Sequence, residues 1–136
     1  MTPEHLIELA KEAMQHAYAP YSGYRVGAAL LCADGTVYRG CNIENAAYGP
    51  TNCAERTAIF KAIYDGHRKF TAIAVCGGKD GNITDAFPPC GICRQVMREF
   101  CDDDFLIYMI GANDSYQVCT LSDLLPFSFS PKDVGQ

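Results

Sequence analysis

Residues 51–60 read TNCAERTAIF. A thiol, Cys53, is followed by Ala54, by the carboxylate of Glu55 and at once by Arg56. Ala58, Ile59 and Phe60 continue as an apolar run, which predicts a helix over residues 53–64. On its own, Glu55 is a helix-start carboxylate favoured by the macrodipole, worth ~0.3–1 kcal/mol. A second stretch, PPCGICRQV at 88–96, changes the weight of the first. Its C-x-x-C stands at a predicted loop-to-helix junction. Two thiolates three positions apart reach one ion, and Gly91 removes a side chain from the tight turn. A lone C-x-x-C is also a redox motif, but a redox pair has no use for a distant third thiol. Cys53 heads a similar junction earlier in the chain.

Ligand counting sharpens this. A structural zinc normally has four protein ligands, often two C-x-x-C pairs. This chain offers one pair, Cys90 and Cys93, plus Cys53. His5 and His16 fall on the predicted first helix, and His67 is isolated beyond the second. Three thiolates leave one position open, the pattern of a catalytic zinc with a bound water. Cys41 could instead supply a fourth thiolate and make the site structural. With an open position, a carboxylate near the metal but not bound to it gains a purpose, because hydrolysis at an unreactive carbon needs a proton shuttle. Arg56 reads equally as a solvated helix residue or as a guanidinium that draws charge off the thiolates. One geometric condition attaches: residues two apart on an ideal helix face nearly opposite sides. Cys53 and Glu55 therefore share an ion only if Cys53 lies at the very end of the helix.

The 136 residues suit one domain, 1–136, with a core that needs no disulfides. Eight cysteines make an even set, but no secretory signal is evident, and Cys32, Cys76, Cys101 and Cys119 sit in or beside apolar runs as small hydrophobes. No segment approaches the ~20 apolar residues of a membrane span. The expectation is a soluble, cytoplasmic protein that works away from membranes. Net charge is −5, and the eleven Lys and Arg are scattered. The missing basic stripe argues against nucleic acid.

Along the chain, residues 3–18 predict an amphipathic helix capped by Thr2, with Pro3 in its first turn. RVGAALLC (25–32) and VYRGC (37–41) predict a hairpin through the Asp34–Gly35 turn. FTAIAVCG (70–77), FLIYMIG (105–111) and YQVCT (116–120) predict further strands. Residues 90–101 predict a short helix, and 121–126 a final helical turn capped by Thr120. The order α, β-hairpin, α, β, α, β, β, α predicts an α/β fold: about five strands in a central sheet with helices on both faces.

C-A-E followed by P-C-x-x-C resembles the signature of zinc-dependent nucleobase deaminases. APYS, VGAAL, CNIENAAY, NCAERTA, PCGICRQV and LLPFSF then follow in order along nearly the whole chain. Together they are similar to the cytidine deaminase family in its small, homotetrameric, three-cysteine form. The resemblance implies a three-layer α/β/α fold with a mixed sheet. It implies one zinc per subunit on Cys53, Cys90 and Cys93, Glu55 as proton shuttle, and Arg56 hydrogen-bonded to the sulfurs. Asn42 and Glu44 would hold the ribose hydroxyls, and Ala54 would offer backbone to the base. Ala46 and Tyr48 would line the substrate site, Tyr48 near a subunit interface. Tyr24 stands where the family usually has Phe and would wall the base. Phe129 would close a neighbouring subunit's site, with Phe127 as competitor. The implied reaction turns cytidine or deoxycytidine into the uridine product and ammonia, in pyrimidine salvage. Rival readings are a deaminase of a cytosine-containing antibiotic such as blasticidin S, a polynucleotide deaminase, and a zinc-stabilised binding module without catalysis.

Overall fold

The strand at Tyr24–Cys32 (β1) is apolar almost throughout because it is paired along both edges and packed on both faces. The computed structural model describes residues 1–136. After the first helix, Pro3–Met14 (α1), β1 turns back through Asp34–Gly35 into Val37–Cys41 (β2). Gly35 takes φ +94°, the left-handed conformation the turn requires. The chain continues through Ala54–Tyr64 (α2), Phe70–Lys79 (β3), Gly91–Phe100 (α3), Leu106–Ile110 (β4), Tyr116–Thr120 (β5) and Leu121–Leu124 (α4). The five strands form one sheet in the order β2-β1-β3-β4-β5. Only β3 and β4 are parallel, so the sheet is mixed, as expected. No helix is long and apolar enough to cross a membrane.

Alternation along the strands sorts the core into two layers. Val26, Ala28, Leu30, Ile73, Val75, Ile107 and Met109 face α2 and α3, meeting Ala58, Ile59 and Met97. Ala29, Ala72, Ala74 and Cys76 face α1, meeting Leu6, Ile7, Ala10 and Met14. Two glycines set how closely these layers approach. A Cβ on Gly27 would stand 2.1 Å from the Ala10 carbonyl oxygen and 2.4 Å from the Met14 nitrogen. On the other face, a Cβ on Gly40 would stand 2.4 Å from the Ala54 carbonyl oxygen and 2.6 Å from the Ala58 nitrogen.

The first helix is shorter than the sequence pattern predicts. Thr2 caps it by accepting from the His5 amide at 3.1 Å, but it ends at Met14 rather than near Tyr18. Tyr18 pairs with a distant segment instead: its amide donates to the Asn42 carbonyl at 3.0 Å, and its carbonyl accepts from Glu44 at 2.9 Å. Pro20, which disfavours helical backbone at residue 19, leaves the chain free to make that pairing. Cys53 and Cys90, read as first helical residues, are the caps just before α2 and α3.

Gly27→Ala is expected to cost at least ~1–3 kcal/mol of stability, since the clash is with helix backbone. Gly49→Ala, where an added Cβ meets nothing within 4 Å, should change it by less than ~0.5 kcal/mol. Urea unfolding midpoints of the two variants compare them directly; equal midpoints would mean that α1 shifts freely on the sheet.

Candidate active site

Cys53 and Cys90 occupy equivalent positions, each the N-cap of a helix and each in extended backbone. N-caps are usually Ser, Thr, Asp or Asn, whose oxygens bond the free amides of the first turn. Neither cysteine makes such a bond. Both sulfurs stay free, and both helices direct the positive ends of their dipoles at them. Cys93, one turn into α3, joins them. The Sγ atoms of Cys53 and Cys90 are 3.8 Å apart, those of Cys90 and Cys93 3.5 Å, and all three lie within 4.8 Å of one another. Two sulfurs bound to a tetrahedral zinc at ~2.3 Å stand about 3.8 Å apart. The donor set and spacing therefore fit zinc.

Cys41 and the histidines are not in this group. The fourth-thiolate reading fails because the Cys41 sulfur is not among the donor atoms that converge within 4.8 Å. All eight cysteines are free thiols.

The carboxylate of Glu55 is 2 % exposed. Burial pushes its pKa up to about 7, and the charge on Cys53 adds to that effect. Cys90 Sγ donates to Cys93 Sγ at 3.5 Å. The condition on Cys53 and Glu55 is met: Cys53 caps α2 in extended backbone, and Glu55 lies in the first turn. The sulfurs divide their protons unevenly. Hydrogen bonding from Cys93, then Arg56, draws Cys53 down to about 5, while Cys93, as donor, is pushed up. Arg56 Nη2 donates to Cys53 Sγ at 3.2 Å, and its Nε is buried without a partner. Of the two readings of Arg56, the guanidinium on the sulfur is the one seen.

Asn42 and Glu44 lie on the segment that pairs with Tyr18. The Asn42 amide is largely committed to β1: Oδ1 accepts from Val26 N at 2.9 Å and Nδ2 donates to Tyr24 O at 2.8 Å. One N–H and one lone pair remain available. Glu44 accepts from the amides of Tyr21 and Ser22 at 3.0 and 3.1 Å and from the Ser22 hydroxyl. The hydroxyl contact leads in holding its carboxyl below the usual range. Ala54 is fully buried, whereas Tyr24, Ala46 and Tyr48 are exposed, Tyr48 by 88 %. Phe129 is 63 % exposed, with its carbonyl held by Gln95 Nε2 at 2.8 Å, and Phe127 is fully exposed. Neither main surface cavity is lined by any of the three thiols.

Three positioning residues were missed in the sequence. Thr57 bridges the Cys41 and Cys53 carbonyls at 3.0 and 3.1 Å, tying the start of α2 to β2. Arg94 spans the Pro89 and Leu124 carbonyls, both at 2.8 Å, fixing the approach to Cys90. Ser22 orients Glu44. All three fall inside the quoted motifs, Ser22 in APYS, Thr57 in NCAERTA and Arg94 directly after the C-x-x-C.

The family model described as "Cytidine and deoxycytidylate deaminase zinc-binding region" matches residues 1–109. The chain is 49 % identical over 135 residues to a cytidine deaminase of Sporosarcina psychrophila, covering 99 % of this chain and 96 % of that one. It is 49 % identical to a cytidine deaminase of Halalkalibacterium halodurans, covering 99 % of each. The crystal structure of cytidine deaminase from Burkholderia pseudomallei superposes with TM-score 0.88 at 47 % identity, over 95 % of this chain and 100 % of that one.

Zinc must displace thiol protons to bind. Cys93 holds its proton more tightly than a free thiol, so affinity rises with pH and is lost as acid returns the protons. Chelator competition between about pH 6 and 8 should show zinc binding tighten roughly tenfold per pH unit for each proton released. A flat profile would remove these thiols as the ligands.

Proposed function

Because the chain belongs to the cytidine and deoxycytidylate deaminase family, we propose that it hydrolyses cytidine and deoxycytidine to uridine and deoxyuridine, releasing ammonia. The observation that carries this reading is a buried Glu55 in the first turn of α2, two residues after Cys53, beside three convergent sulfurs whose spacing fits zinc. Zinc, held by Cys53, Cys90 and Cys93, would supply the Lewis acidity that makes water a nucleophile near neutral pH.

The proton steps fall to Glu55. Its carboxylate takes a proton from the attacking water and gives it to ring nitrogen 3 as oxygen bonds to carbon 4. It then passes the second water proton to the exocyclic amine; the carbon–nitrogen bond breaks, and carbon 4 keeps the oxygen as a carbonyl. A carboxyl with its pKa near 7 both accepts and returns a proton at neutral pH. Arg56 offsets the charge of Cys53 from the side. Burial of Ala54 against the sheet supports fixed backbone groups beside the base.

We assign the ribose to Asn42 and Glu44. An ionised Glu44 accepts from hydroxyls, and a site built for hydroxyls rejects analogues without them. This disfavours blasticidin S. Tyr24, Ala46 and Tyr48 line the open side, and residues 1–136 act as one catalytic domain. Exposed Tyr48, Phe127 and Phe129 support a homotetramer in which Phe129 closes a neighbour's site. The acidic charge fits a salvage enzyme of the cytoplasm acting on free nucleosides better than one acting on polynucleotide.

Loss of cytidine absorbance, followed with and without chelator beside deoxycytidine and blasticidin S, tests the reading. Cytidine and deoxycytidine should turn over and the antibiotic should not; intact zinc with no turnover would favour a binding module. Glu55→Gln should retain one zinc per chain and lose at least ~100-fold in kcat; near-normal turnover would remove Glu55 as the shuttle. Light scattering should give four chains per particle, and Tyr48→Ala should shift that toward smaller species.

A further inference from the structure

We propose that Cys32, Asp34 and His67 form a second metal site, for a divalent cation of the zinc class, remote from the thiol cluster. A thiol, a carboxylate and an imidazole converge there, each with a donor atom within 4.8 Å of the others. Sulfur, oxygen and nitrogen donors together suit zinc or cobalt(II) rather than magnesium or calcium. The three come from separate segments: Cys32 ends β1, Asp34 lies in the hairpin turn, and His67 lies in the connection from α2 to β3. That connection is at the far end of α2, whose eleven residues span ~16 Å from the Cys53 cap.

The spacing suits an ion between two groups that otherwise face each other as an imidazole–carboxylate pair. His67 Nδ1 and Asp34 Oδ2 are 3.6 Å apart. That exceeds the ~2.7–3.2 Å of an N–H···O bond. It is close to the ~3.3 Å that separates nitrogen and oxygen donors on one tetrahedral zinc. Cys32, 1 % exposed, forms the floor, and the exposed Asp34 forms the rim.

The groups are already oriented. Asp34 Oδ1 accepts from the Thr36 amide at 3.0 Å, which turns Oδ2 toward His67. The His67 ring packs edge-on against Tyr38, and the Tyr38 hydroxyl donates to Asp65 at 2.6 Å. The two loops are joined by the Ala33 amide donating to the Lys69 carbonyl at 2.9 Å, and the His67 amide is bonded to the Ala62 carbonyl at 3.0 Å. Such outer contacts fix ligands before an ion arrives. An ion here would cross-link the hairpin turn to the end of α2.

The test adds cobalt(II) to zinc-loaded full-length protein, with zinc per chain measured in the same samples so that exchange at the thiol cluster is not counted. One further equivalent is expected, with the near-ultraviolet charge-transfer band of a thiolate ligand. His67→Asn, at a half-buried position, and Asp34→Asn, at an exposed one, should each weaken it at least tenfold and leave cytidine turnover unchanged. Cys32→Ser should abolish the band. Failure of the wild-type protein to take a second equivalent, or binding that survives both the His67 and the Asp34 substitution, would overturn the proposal.

Discussion

Three sulfurs within 4.8 Å of one another cannot all carry charge unless a cation lies among them. Much of the site's local structure is arranged around that repulsion. Two helices start at the cluster, so their free amides and positive dipole ends offset part of the charge. Arg56 offsets more at Cys53. Without a cation the sulfurs settle the matter with protons, which is why Cys53 and Cys93 are driven in opposite directions. A dication bound by the three sulfurs would take the place of those protons.

The sheet brings the two helix starts together. β3 and β4 are parallel, and α3 crosses between them, so α3 begins on the side of the sheet where β3 ends. α2 starts on that side because it leaves the β2 edge and must return to the beginning of β3. The bridge from Tyr18 through Ile43 to Asn52 closes this end of the molecule. It also carries Asn42 and Glu44 to the loop of Tyr21 and Ser22.

Most of this was legible in the sequence where a local rule dominates. Strand runs buried on both faces, the Asp34–Gly35 turn and the paired cysteine junctions are short-range signals, and the elements fall where they predict. The missed features are those decided at a distance. Helix α1 stops early because Tyr18 finds a partner 24 positions onward, which no periodicity reveals. Thr57 looks like any helix threonine until its hydroxyl is seen to join α2 to β2. Asn42 reads as a group for a hydroxylated ligand, yet most of its amide holds the start of β1. The three-ligand count was readable from spacing; the exclusion of Cys41 required knowing which sulfurs converge in space.

Gly40 gives the architecture a less obvious property. It lies beneath the Ala54 carbonyl and the Ala58 amide, under the first turn of α2. That turn carries Glu55 and follows directly on Cys53. The helix rests there like a beam on a fulcrum, so a methyl group added beneath it would tilt the end that bears the chemistry. An inherited change in the sheet, touching neither sulfur nor carboxylate, would then present in the laboratory as weakened metal retention rather than as simple loss of stability.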